Sequence, residues 1–142
     1  LDWKVVFAAG RDRAIELFIN FPVYDININV LKGNPSKVSP ADVSRMDRFW
    51  GDRSWYNLIY EAEPDLLDGT RDQKVRSIKA LVTAYMQRLQ KVAGFNYVPK
   101  PLPIRLPSGV ILYYLFFASP NNTGRKIVDW IFRHHGGAGI VG

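Results

Sequence analysis

Apolar and polar positions change their period along this chain, and each change marks an element. Trp3, Val6 and Phe7 recur at helical spacing before Gly10 and the charged end Arg11, Asp12, Arg13, which predicts the closing turns of a helix over about residues 2–13. Residues 15–21 are then nearly all apolar and stop at Pro22, the pattern of a strand buried on both faces. Tyr24 to Pro35 alternates polar with apolar before the cluster Gly33, Asn34, Pro35, and predicts a loop with some extended character. At Ser39 a helix start has a mechanism. The serine caps, Pro40 fits the first helical position and Asp42 meets exposed amides, while Val43, Met46, Phe49 and Trp50 form the apolar stripe.

A break at Gly51 and Asp52 precedes a second short helix around Trp55 to Glu61, which cannot continue normally past Pro64. Thr70 and Gln73 have capping-box spacing, and Val75, Ile78, Val82, Tyr85, Leu89 and Val92 recur at threes and fours. Together they predict one long helix over 70–93 that stops at Gly94. Beyond Tyr97 three prolines restrict residues 97–106 to an irregular or edge strand. Pro107, Ser108 and Gly109 turn the chain into the continuous apolar run Val110 to Ala118, and the two strands should form an antiparallel hairpin. Asn121 to Gly124 then starts a last helix whose Ile127, Val128 and Ile131 face the core. These elements predict a single α/β domain over residues 1–135, with a helical insertion at about 23–69 and a glycine-rich tail at 136–142.

Composition changes this picture in three ways. The chain of 142 residues contains no cysteine, which excludes disulfides, thiolate metal sites and a cysteine nucleophile. Its longest apolar run is about half of the roughly 20 residues a membrane-spanning helix needs, and no charged-then-apolar leader opens it, so the expectation is a cytoplasmic protein without a membrane partner. Nineteen Lys and Arg against 13 Asp and Glu give a net charge of +6, which favours an anionic partner such as nucleic acid through steering and counterion release. Lys74, Arg76, Lys79, Arg88 and Lys91 lie on the polar face of the long helix, where solvated cations are also the ordinary state.

Four strings carry a more specific signal. IELFINFP at 15–22, RMDRFWGDRSW at 45–55, KVAGFNYVPKPLPIR at 91–105 and YYLFFASPNNTGRKIVDWIF at 113–132 resemble the three-Cys-motif partner proteins, over about residues 1–132. The resemblance implies the C-terminal half of a Rossmann-like, class I methyltransferase-type sheet, in which the last strand inserts antiparallel beside its neighbours. It also implies a bacterial or phage origin and a separate partner protein carrying three cysteines of a radical-SAM-like kind. The family's glycine-bearing first strand and its upstream Asp-Pro motif have no counterpart here. S-adenosylmethionine is therefore expected for the intact protein and no cofactor for this chain alone. Whether the chain is part of an enzyme or a non-catalytic binding and assembly module stays open.

Candidate chemistry is sparse. Strand C-terminal ends are where open α/β sheets take ligands, and after the first strand come Asn20, Asp25, Asn27 and Asn29, then Arg45, Asp47 and Asp52 on the following helices. These are the candidate substrate contacts, against the plainer reading of caps, turns and salt bridges. Asn20 to Tyr24 has some likeness to the Asn-Pro-Pro-Tyr site of amino-methyltransferases, with Phe21 spoiling the spacing. Trp50 and Trp55 could stack on a base, although aromatic residues on an apolar stripe are more often core. The G-x-G-x-x-G of Gly137, Gly139 and Gly142 lacks the strand and helix that would give it meaning. His134 and His135 are adjacent and share no helix face, which argues against a metal site. Finally, the strand 15–21 has no Lys, Pro or bulge inside LFINF, so an edge left open there predicts self-association.

Overall fold

A computed structural model describes residues 1–65, 69–122 and 124–135 as a mixed α/β arrangement. Helix α1 (Trp3–Asp12) is capped by the Asp2 carboxylate, which accepts from the Lys4 amide, and it ends where Arg13 takes φ 62°. Strand β1 (Leu17–Phe21) leads through Pro22 into helix α2 (Val23–Asn29). Next come a 3-10 turn at Pro35–Lys37, helix α3 (Pro40–Trp50) and helix α4 (Ser54–Ile59). Strands β2 (Tyr60–Asp65) and β3 (Gly69–Lys74) form a separate antiparallel pair. Helix α5 (Ile78–Lys91), strands β4 (Leu102–Arg105) and β5 (Ile111–Ala118), and helix α6 (Arg125–His135) complete the chain.

The main sheet has the order β1-β5-β4, with β5 antiparallel to both neighbours. Leu17 opposes Ala118 and Phe21 opposes Tyr114, while Leu102 opposes Leu115 across the hairpin turned at Gly109. One face of this sheet meets α2, α3 and α5. Its centre is Tyr85, whose ring lies 5.0 to 5.8 Å from those of Trp3, Phe21, Phe49, Trp50 and Phe116. Five aromatic neighbours drawn from α1, β1, α3 and β5 make Tyr85 the point where those elements join. Two glycines permit the close approach. A Cβ at Gly51 would fall 2.4 Å from the Trp3 ring, and one at Gly10 would fall 2.2 Å from the Ala93 carbonyl oxygen. On the other face Leu102, Ile104, Phe117 and Val128 are buried outside the main core.

Four expectations need correction. Residues 23–29 form a helix and not a loop, because Val23, Ile26 and Val30 bury one helical stripe; the alternating reading would have required Ile28, which is 49% exposed. The long helix does not begin at Thr70. Residues 69–74 pair with 60–65, so their backbone groups are satisfied by a strand partner, and α5 starts after Ser77 with Val75 left outside it. Nor is β1 buried on both faces: Ile19 and Phe21 are inside, whereas Phe18 is 53% exposed and Asn20 is exposed, because only one face of the sheet is covered at β1. In β5 only Phe116 to Ala118 are fully buried. The side chains of Thr70 and Ile127, and residues 136–142 with their glycine motif, lie outside the described residues.

Candidate functional site

Where β1 ends, Pro22 turns the chain into α2, and α2 packs beside α3 with a cleft of about 280 Å³ between them. Pro22, Ile26, Val30, Met46 and Phe49 give it an apolar floor, and Asp25, Arg45, Arg48 and Asp2 give it a charged rim. The helical spacing of Ile26 with Val30 and of Met46 with Phe49 explains the floor, because the same stripes that pack the helices together leave their edges facing the gap. Phe49 continues from this floor into the core, stacked on Tyr85 at 5.0 Å.

Three of the candidate residues are brought into one network. Arg45 Nη1 donates to Asp25 Oδ2 at 2.5 Å, its Nη2 donates to Asp25 Oδ1 at 3.2 Å and to Asp42 Oδ1 at 2.9 Å, and Asn29 Nδ2 donates to Asp25 Oδ1 at 2.7 Å. The hydrogen bond from Arg45 holds the Asp25 carboxyl below its ordinary range, against some desolvation. Both Asp25 oxygens are occupied and the Arg45 fork is shared between two carboxylates. This is a clamp joining α2 to α3, and it leaves neither residue free to act as a base or to grip a ligand.

The other candidates lie elsewhere. Asn20 projects from the exposed face of β1 and Asn27 is exposed on α2; neither lines the cleft. Asp52 belongs to the α3–α4 turn, where it accepts from the Ser54 amide at 2.9 Å and its hydroxyl at 2.5 Å, with Arg88 3.9 Å away. The Ser54 hydrogen bond is the main cause of its lowered pKa. Asp47 accepts from Arg53 at 2.7 Å and from the Trp55 indole at 2.8 Å; burial opposes its charge, and these bonds outweigh burial to lower its pKa. Trp50 and Trp55 are both core, at 0% and 1% exposure, so neither offers a stacking surface.

What the sequence reading missed is Arg48. It lines the cleft one turn after Arg45, and unlike Arg45 it makes no ion pair or hydrogen bond among the described residues. Spacing of three on one helix was the available signal. The cleft can thus hold an apolar group bearing an acceptor or negative charge near Arg48. Among the described residues no group of three or more His, Cys, Asp or Glu could hold a metal ion; His134 Nδ1 is 2.8 Å from the Trp130 carbonyl oxygen and its ring stacks on Trp130. No described helix is long and apolar enough to cross a membrane.

The end of β1 does not offer the turn that S-adenosylmethionine takes. Its adenosyl cradle needs a glycine turn after a strand, and here β1 passes through Pro22 directly into α2, with buried Val23 and Ile26 filling the space against β5. No family model, curated protein or solved structure matches this chain.

Proposed function

We propose that this chain is the substrate-side, C-terminal part of a methyltransferase-like protein that works with a separate three-cysteine, radical-SAM-like protein. The observation that carries the reading is the strand order β1-β5-β4. The last strand lies between two others and antiparallel to both, which is the insertion that the resemblance at residues 15–22 and 113–132 implies. The cleft beside Arg48 stands at the end of β1, the position open α/β sheets use for ligands. The methyl donor would be held by residues outside this chain, and no chemical step is assigned to it.

A second reading, a non-catalytic module for binding and assembly, is favoured by the clamped state of Asp25 and Arg45, which commits both to joining α2 and α3. One experiment separates them. The chain is mixed with the purified three-cysteine protein and complex formation is followed by light scattering, while the whole protein is assayed for transfer of a labelled methyl group from S-adenosylmethionine. A complex forming at about 10 µM or below, together with transfer that falls in Arg48→Ala, supports the first reading. A complex without transfer supports the second, and no complex sinks both.

The same proposal includes self-association through the free edge of β1. Phe18, half exposed and 4.9 Å from the Phe117 ring, is the residue to test, since Ile19 is 1% exposed and belongs to the core. Phe18→Lys should turn a dimer into a monomer by light scattering with unchanged circular dichroism. A wild-type chain that stays monomeric at about 100 µM rules the pairing out.

A further inference from the structure

The C-terminal half of α5 is flanked by two clefts that share Lys91 and Val92. The first, of about 220 Å³, lies between the ends of α1 and α5 and is lined by Arg11, Arg13 and Lys91 beside the Ala93–Gly94 backbone, with no carboxylate in its lining. Arg11 sits over the Phe7 ring at 4.8 Å, and Arg13 and Lys91 have no hydrogen-bond or ion-pair partner among the described residues. The second, of about 340 Å³, runs between α4 and α5. Leu58, Ala84 and Val92 supply its apolar wall, with Val92 42% exposed. The Asn57 and Gln87 carboxamides that line it are exposed and without partners among the described residues. No carboxylate lines it; Asp52, which accepts from the lining residue Ser54, faces Arg88.

We propose that these two clefts form one groove for single-stranded nucleic acid. Three cations in a lining without a carboxylate would neutralise consecutive phosphates, and an unpaired base would lie against Val92 and Ala84 within reach of the Asn57 and Gln87 amides. A carboxamide presents a donor and an acceptor side by side, the pairing that base edges match. The first cleft is the more enclosed of the two and the second lies open, so an unpaired base can lay its face on the apolar wall and turn its edge to the two amides; a flexible strand therefore fits them better than a rigid duplex, whose bases stay stacked and whose edges are already paired. Cations at helix ends also complement the C-terminal dipoles of α1 and α5. That role alone would leave the carboxamides and the exposed Val92 unused. The inference does not depend on the methyltransferase-like reading.

The test is fluorescence anisotropy of a labelled oligonucleotide of about 12 residues, single-stranded and duplex, against the 142-residue chain. Three neutralised phosphates predict a salt slope of about −2 for the single strand, or about a 20-fold loss of affinity between roughly 50 and 200 mM salt. The triple variant Arg11→Ala/Arg13→Ala/Lys91→Ala should lose that slope and most of the binding. An equal charge change at Lys100→Ala/Arg105→Ala/Lys126→Ala, outside the groove, should leave both nearly intact. Asn57→Ala with Gln87→Ala should weaken binding several-fold at unchanged slope. The proposal is overturned if no binding appears at about 100 µM protein in low salt, if both triple variants lose binding equally, or if duplex binds as tightly as single strand.

Discussion

Two clusters of cationic side chains sit on opposite sides of one aromatic core, and they differ in what they touch. At the α2–α3 corner Arg45 is held by Asp25 and Asp42, and at the α3–α4 turn Arg53 is held by Asp47. Along the end of α5, Arg11, Arg13 and Lys91 line a cleft without a single carboxylate. Tyr85 backs the corner cleft through Phe49 and the second of the two α5 clefts through Trp50. A guanidinium whose donors are spent on carboxylates fixes the geometry of two helices. A cation left with water keeps its charge for a ligand. The corner is therefore a structural joint with one spare group, Arg48, and the α5 groove is the side with capacity to bind.

The largest effect expected is at the shared floor. Tyr85→Ala should destabilise the chain by about 3 to 5 kcal/mol and loosen both sides together, read by denaturant titration. Tyr85→Phe should cost little or stabilise, because the buried hydroxyl has no hydrogen-bond partner and its removal ends a desolvation cost. Next comes Asp47→Ala, which leaves the indole N–H of buried Trp55 without its acceptor and should cost about 1 to 3 kcal/mol. Asp25→Ala should cost at most about 1 kcal/mol, since the pair it breaks is partly exposed and Arg45 keeps Asp42. Removing Arg11, Arg13 or Lys91 should change stability by less than about 0.5 kcal/mol each while changing oligonucleotide affinity. If those three variants destabilise more than Asp25→Ala, the contrast between joint and groove is wrong.

Acid separates the two regions as well. Asp25 and Asp52, through hydrogen bonds from Arg45 and Ser54, and Asp47, against an opposing burial term, are held below the ordinary carboxylate range. Such groups bind fewer protons folded than unfolded, so their stabilisation is complete above about pH 4 and is lost as pH falls through the lowered values. Denaturation midpoints should therefore decline below about pH 4, and the Asp25→Asn variant should decline less steeply. The α5 clefts have no carboxylate in their lining, so this acid-dependent loss belongs to the joint.

The elements with local causes were legible in the sequence. Ser39, Pro40 and Asp42 start α3 where the capping pattern puts it, with the Ser39 hydroxyl accepting from the Asp42 amide at 3.1 Å, and Gly51 ends it at φ 107°. The turn at Gly109 and the β4–β5 hairpin were equally readable, because turn chemistry and missing proline donors act within a few residues. Two misreadings share one cause. Residues 23–29 alternate and also carry a helical stripe, and residues 70–74 carry a cap signal and also a strand partner; each segment has two local solutions, and burial against β5 or pairing with 60–65 decides between them. The candidate site divides in the same way. Residue type and position after a strand pointed to Asp25, Asn29 and Arg45, but only the folded chain ties the three into a clamp and leaves Arg48 free. Arg11 and Arg13 meet Lys91 only because Gly10 lets α1 approach the Ala93 carbonyl. A contact between residues about 80 apart has no sequence period, and is set by the packing of two helix ends.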